Sequence, residues 1–178
     1  MIYGQKTRLR RVERDDIPTF VRWFNDPEVR EFLTIYQPFS TAEEEKWFEA
    51  QLDDRDSEMF AIETADGVHI GNIALHNVNW QYRHAGLGIV IGEKEYWGKG
   101  YGSDAVRTLV RFAFQEMNLH RVFLRVRDDN ARGIRAYEKC GFQHEGRLRE
   151  AIYSNGRYYD ELWMGILGQE FNDQASLT

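Results

Sequence analysis

Trp97-Gly98-Lys99-Gly100-Tyr101-Gly102-Ser103 is the stretch of this 178-residue chain whose residue types and spacing point most directly to chemistry. It follows an apolar run, Leu87 with Ile89, Val90 and Ile91, of the kind that sits in a buried strand. Beyond it Ala105, Val106, Leu109, Val110, Phe112, Ala113 and Met117 recur at helical spacing. Strand, glycine turn and helix in that order leave free backbone N–H groups at a positive helix end, where phosphate oxygens can bind. Glycines let the main chain approach an anion without Cβ atoms in the way. Taken alone, such a turn is also compatible with simple punctuation between strand and helix.

Two nucleotide motifs are excluded. The P-loop needs Lys directly after its last Gly and before Ser or Thr, whereas Lys99 lies between glycines and Gly102 precedes Ser103. The dinucleotide fingerprint needs an acidic ribose partner about 20 residues on. Here that distance falls in the basic segment 121–127.

A second segment, Asp129-Asn130-Ala131-Arg132-Gly133-Ile134-Arg135-Ala136-Tyr137-Glu138-Lys139-Cys140-Gly141-Phe142, decides between these readings. Together the two resemble the GNAT superfamily of acyl-CoA-dependent N-acetyltransferases. Trp23-Phe24-Asn25-Asp26-Pro27-Glu28-Val29 and Gly146-Arg147-Leu148-Arg149-Glu150 are similar to the branch holding the ribosomal-protein N-terminal and spermidine acetyltransferases. The resemblance implies a mixed α/β fold: one domain over residues 1–171, with a central, mostly antiparallel sheet, two splayed central strands and flanking helices. Residues 172–178 read as a frayed tail. It implies acetyl-CoA as co-substrate, no metal, and direct transfer to a primary amine, either a peptide N-terminus, a polyamine or another small amine. Backbone N–H groups of Gly98, Lys99, Gly100, Tyr101, Gly102 and Ser103 would hold the diphosphate, and Asn130 the pantetheine or phosphate arm. Main-chain groups of Gly88, Ile89, Val90 and Ile91 would be exposed where the central strand splays at a bulge. One of those N–H groups would steady the oxyanion, an effect of about 3–4 kcal/mol. Tyr137 would protonate the leaving thiolate; a phenol of pKa about 10 beside a thiolate of pKa about 8.5 does so at little cost.

The general base is left open. Related sequences often have Glu where this chain reads Gly86, and glycine cannot accept a proton. His76 and His84 flank the site on neighbouring strands and have suitable intrinsic pKa values. Glu150 is a third candidate, and Glu31 and Asp160 could equally hold the substrate's cation. Tyr153, among the aromatic residues of the last hairpin, could line an acceptor cleft or the seam of a homodimer. A different class of function, an acyl-CoA-binding sensor without turnover, is compatible with Gly86 and disfavoured by Tyr137.

The elements that must position these groups follow from patterning. Residues 7–12 alternate as a strand, and Asp15 or Asp16 caps a helix bearing Ile17, Phe20, Val21 and Phe24. Pro27 opens a short helix, and Thr41 with Glu44 has capping-box spacing ahead of Trp47 and Phe48. The acids Glu43, Glu44, Glu45 and Glu49 read as a solvated face. Asp66-Gly67 and Asn155-Gly156 mark hairpins between residues 59–64 and 69–78, and between residues 143–154 and 157–167.

Composition bounds the rest. Hydrophobic residues at 42% describe an ordinary globular chain. No apolar run approaches the roughly 20 residues of a membrane span, no basic aromatic patch suggests nucleic acid, and no export signal is evident, so the cytoplasm is the expected compartment. Cys140 has no partner for a disulfide and reads as buried packing. The net charge of −6 is uneven: residues 13–66 hold 16 acidic and 5 basic side chains. That half could attract a cationic amine, and the positive remainder suits an anionic carrier.

Overall fold

The computed structural model describes residues 1–172, so of the expected tail only Asn172 falls within them. Eight strands form one sheet: β1 (Ile2–Tyr3), β2 (Thr7–Arg11), β3 (Glu58–Thr64), β4 (His69–Asn79), β5 (His84–Ile91), β6 (Arg121–Arg127), β7 (Gln143–Ser154) and β8 (Arg157–Leu167). Their spatial order is β1-β2-β3-β4-β5-β6-β8-β7, antiparallel throughout except for the parallel pair β5/β6. Five helices accompany it: α1 (Ile17–Phe24), α2 (Pro27–Arg30), α3 (Thr41–Asp53), α4 (Tyr101–Gln115) and α5 (Ala131–Lys139). The mixed α/β architecture expected from the sequence is the one observed. Among the described residues no helix is long and apolar enough to cross a membrane.

The two faces of the sheet bury different clusters. On one, Ile73, Leu75, Ala85, Leu87, Val122 and Leu124 meet the apolar side of α4, with Val106, Leu109, Val110 and Ala113. On the other, Val90 joins Phe20, Trp23 and Val29 beneath α1 and α2. Alternation along β4 explains the division: residues 73 and 75 point to α4, while residues 72, 74 and 76 face the other way.

Turn chemistry follows the sequence closely at the last hairpin, where Asn155 and Gly156 both have positive φ (50° and 82°), as a type I′ turn requires. Four features differ. The short strand β1 was not evident from two residues of pattern. The α3 capping box is Ser40 with Glu43, one position before the expected pair, because Ser40 is the extended residue whose hydroxyl accepts from Glu43 N. Glu44 is not on a solvated face but is 2% exposed, on the side of α3 that carries Phe48. The bulge lies in β4 rather than β5: register shifts between His76 and Asn79, where Asn77 adopts a left-handed φ of 52°.

The helix that follows the glycine turn is tied to the start of the chain by one buried carboxylate. Asp104 Oδ1 accepts from Gln5 N (3.0 Å), and Oδ2 accepts from Lys6 N (2.9 Å), Thr7 N (2.9 Å) and Thr7 Oγ1 (2.7 Å). Asp104→Ala would strand these donors in a buried site, and a loss on the order of 3 kcal/mol is expected. Urea unfolding would show it as a lower midpoint at unchanged slope, with Asp104→Asn losing less.

Burial raises the Glu44 carboxyl to about 7. A folded pKa above the unfolded value of about 4.5 means that stability is complete in acid and is lost as pH rises from about 4.5 to 7. Glu44→Gln should therefore raise stability by about 1–2 kcal/mol at pH 8 and leave it unchanged at pH 4, measurable by thermal melts across that range.

Candidate active site

The site begins where two strands part. β5 pairs with β6 only at His84↔Arg121, Ala85↔Val122 and Gly86↔Phe123. Beyond Gly86, β5 stays paired with β4 as far as Ile91↔Gly71, and β6 stays paired with β8 as far as Arg127↔Glu161. The edge of β5 carrying Gly88, Ile89, Val90 and Ile91 thus has no strand on its β6 side. The expected splay is present, although the bulge expected with it lies elsewhere.

The glycine turn opens α4 without a side-chain cap. Gly98 (φ 72°) and Gly100 (φ 86°) take left-handed conformations, and Gly100 occupies the N-cap position. The first helical bond runs from Asp104 N to Gly100 O at 3.0 Å. Among the described residues no protein acceptor takes the N–H groups of Gly98, Lys99, Gly100, Tyr101, Gly102 or Ser103. This row of open amides at a helix N-terminus suits a diphosphate. Trp97 secures the turn to the strand before it, its Nε1 donating to Ile91 O at 2.7 Å.

Two cations flank the turn, and neither was singled out in the sequence. Lys6 Nζ donates to Lys99 O at 3.0 Å and stands 5.8 Å from the Tyr101 ring centroid. The Arg132 guanidinium lies 4.3 Å from the Trp97 ring centroid. No local pattern marks either one; only the pairing of the chain's first residues with α4 brings Lys6 there.

α5 presents the proposed proton donor. Asn130 caps it, Oδ1 accepting from Gly133 N at 2.9 Å. Tyr137 lies on the helix face that packs against the α4-side core, with Phe142 at 6.1 Å between ring centroids. Burial, with Cys140 contributing less, pushes the phenol up to about 12, so it is protonated throughout the physiological range. Cys140 is itself buried and pushed up to about 12, its thiol donating to Ser103 O at 3.4 Å. It is packing, as the sequence suggests.

On the opposite face lies a cleft of about 630 Å³. Gly88, Ile89 and Val90 line it from β5, Asn72, Ala74, His76 and Asn77 from β4, and Trp47, Asp54 and Asp56 from α3 and its exit. Of the sequence-derived candidates for the base and acceptor, only His76 is in this cleft. The His84 ring stands instead beside Tyr82 and Phe123, with centroids 6.3 and 5.8 Å away. Asp160 accepts from Glu150 N at 2.8 Å and is ion-paired to Arg147. Glu150 is exposed on β7, and Tyr153 packs on Tyr158 at the hairpin tip. The Glu31 carbonyl accepts from Arg127 at 3.0 Å, and its side chain is exposed. The structure does not bring Glu31, His84, Glu150, Tyr153 or Asp160 to the cleft. Among the described residues no cluster of three or more His, Cys, Asp or Glu side chains could hold a metal ion.

Comparison with known proteins agrees with this geometry. The family described as Acetyltransferase (GNAT) domain matches residues 6–143. Spermidine N(1)-acetyltransferase of Vibrio cholerae serotype O1 is 30% identical over 168 residues, covering 94% of this chain and 96% of that protein. YdaF of Bacillus subtilis (strain 168), provisionally named a ribosomal N-acetyltransferase, is 35% identical over 109 residues, covering 61% and 59%. The crystal structure of the Vibrio cholerae spermidine N-acetyltransferase with CoA and spermine superposes with a TM-score of 0.88 at 30% identity, covering 94% of this chain and 98% of that one. The chain belongs to the GNAT acetyltransferase family. It is an acyl-CoA N-acyltransferase, and acetyl-CoA is its donor.

The open amides, Lys6 and Arg132 together suit the anionic part of that donor. Lys6→Ala and Arg132→Ala are each expected to weaken CoA binding about 3–10-fold at low salt and less at high salt, as screened charges should. Calorimetric titration at two ionic strengths would check this.

Proposed function

We propose that the protein moves the acetyl group of acetyl-CoA directly onto a primary amine of a polyamine or similar cationic small amine. The observation that carries this reading is the cleft itself. It is lined by the β5 segment with Gly88, Ile89 and Val90, open on its β6 side, and by Asp54 and Asp56. A carboxylate pair at that position favours an acceptor carrying more than one positive charge. The naming of the Vibrio cholerae relative as a spermidine acetyltransferase supports the same substrate class.

The two faces of the sheet divide the work. Tyr137 stands on the α4 side of the parted strands and the cleft that would admit the amine on the α1–α3 side, so the thioester would lie between them. A main-chain N–H of the segment bearing Gly88, Ile89, Val90 and Ile91 polarises the thioester carbonyl and holds the developing oxyanion. Tyr137 gives its proton to the departing sulfur, and its raised pKa keeps that proton in place until a thiolate forms. Residues 1–171 act in this as one transferase domain.

Wild-type protein mixed with acetyl-CoA and a panel of spermidine, spermine and short peptides should release free thiol fastest with the polyamines. Release with peptides alone would move the assignment to N-terminal acetylation. CoA binding without thiol release from any amine would favour a non-catalytic acyl-CoA sensor. Tyr137→Phe is expected to lower kcat on the order of 10²-fold while the CoA dissociation constant stays within about twofold of wild type. An unchanged kcat would remove Tyr137 from the mechanism.

A further inference from the structure

His76 and Gly86 face each other across the β4/β5 ladder, and the glycine is what makes room for the imidazole. A Cβ built on Gly86 would lie 2.4 Å from His76 Cε1, 2.8 Å from Nδ1 and 3.0 Å from Nε2. No side chain at position 86 can coexist with the ring in this place. The Cδ2–Nε2 edge of the ring is the part turned toward Gly88, about 4 Å from where a Cβ on that glycine would stand. That edge therefore borders the β5 segment with the open main-chain groups, inside the cleft.

The β4 bulge supplies the partner for the other nitrogen. Because Asn77 takes a left-handed φ of 52°, its Nδ2 stands 3.1 Å from His76 Nδ1. Asn77 is exposed, so a half-turn of the amide presents its oxygen to an Nδ1–H. With the amide so turned, the Nδ1–H is held and the Nε2 lone pair is bare on the Gly88 side.

We propose that His76 is the general base that deprotonates the acceptor amine, standing in the space Gly86 leaves empty, with Asn77 positioning its ring. The assignment rests on the amine-acetylation reading above and names the group that reading lacks. Nε2 takes one proton from the substrate ammonium. The freed lone pair forms the C–N bond at the thioester carbonyl carbon, and the C–S bond then breaks. Tyr137 protonates the departing sulfur and recovers the surplus proton of the new amide nitrogen, while the imidazolium returns its own proton to solvent.

The surroundings keep the imidazole neutral near pH 7. Burial, and secondarily the Arg125 charge on β6, lower its pKa from 6.5. Arg125 is 3.8 Å from Glu161 on β8. Asp54 and Asp56 are the acids lining the same cleft, Trp47, Gln51 and Met59 are its neutral neighbours from α3 and β3, and Gly86 and Gly88 contribute no charge from β5.

The test compares wild type with His76→Ala and His76→Gln, using spermidine as acceptor and a thermal shift with CoA to show that each variant is folded and binds donor. Wild-type turnover of spermidine tests the reading on which the assignment rests; the acid limb of the pH–rate profile tests His76 itself, so the two failures are separable. In both variants kcat should fall by on the order of 10²–10⁴, the amount a positioned base supplies. The limb below about pH 6.5 should disappear, leaving a rate that climbs with the free-amine fraction. Added imidazole should raise the rate of His76→Ala by entering the space above Gly86, and should not raise that of wild type. Retention of the wild-type acid limb by either CoA-binding variant overturns the assignment.

Discussion

The early parting of β5 from β6 is the constraint on which the rest of the structure depends. Each strand is fully engaged on its outer edge, β5 with β4 to Ile91 and β6 with β8 to Arg127, while the two share a ladder only to Gly86. Sheets twist, and two ladders that each extend beyond a short shared base rotate away from one another. Backbone groups left on the inner edge must find partners in water or in a ligand, since leaving them unpaired on burial is costly. The candidate active site is therefore a gap in a hydrogen-bond network, held open because both sides are better satisfied elsewhere. A continuous ladder through Gly88 to Ile91 would strengthen the sheet and close that gap.

Holding such a gap at fixed width requires elements that bridge both halves. α4 packs under β4 and β5, and its first turn is bound through Asp104 to the residues leading into β2. Those same contacts carry Lys6 to the glycine turn, so the carboxylate that stabilises the fold also places a cation beside the open amides. On the other side α5 rests against the α4-facing core, with Cys140 Sγ reaching Ser103 O. The glycine turn before α4 and the helix bearing Tyr137 thus share a contact that sets their separation. Gly4 shows how tight this assembly is: a Cβ there would lie 2.4 Å from Asp104 Oδ2.

What the sequence disclosed and what it hid divide along physical lines. Local chemistry was legible: the glycine turn before α4, the Asn130 cap of α5, the Asn155-Gly156 turn and the apolar side of α4 each depend on residues within a few positions of one another. Long-range placement was not. Lys6 reaches Lys99 only after folding, and nothing near either residue announces it. His76 and His84 looked equivalent because both flank the central strand, yet the bulge at Asn77 shifts the register between them, and only one ring enters the cleft. Glu44 was misplaced for a related reason. Its acidic neighbours made a solvated face the natural reading, but Glu44 lies one turn before the buried Phe48 and shares its inward side of α3.

The acidic half of the chain likewise has a meaning that net charge alone misstates. Seven of the sixteen acids of residues 13–66, with Glu93 beyond them, are committed within the protein. Asp16 binds Arg10 and His69, Glu63 binds Arg10, Glu58 binds Arg11, and Glu49 binds Arg14. Asp26 and Glu28 bind Lys94, Glu93 binds Arg22, and Glu43 closes the cap of α3. Paired charges present little field beyond a Debye length of about 8–10 Å, so this inventory cannot act as a diffuse lure for cations. Asp54 and Asp56 differ because they sit where the chain leaves α3 and line the cleft itself. Under the proposed function, a cationic acceptor would meet two carboxylates at short range, while the paired acids fasten α1, α2 and α3 to their neighbours.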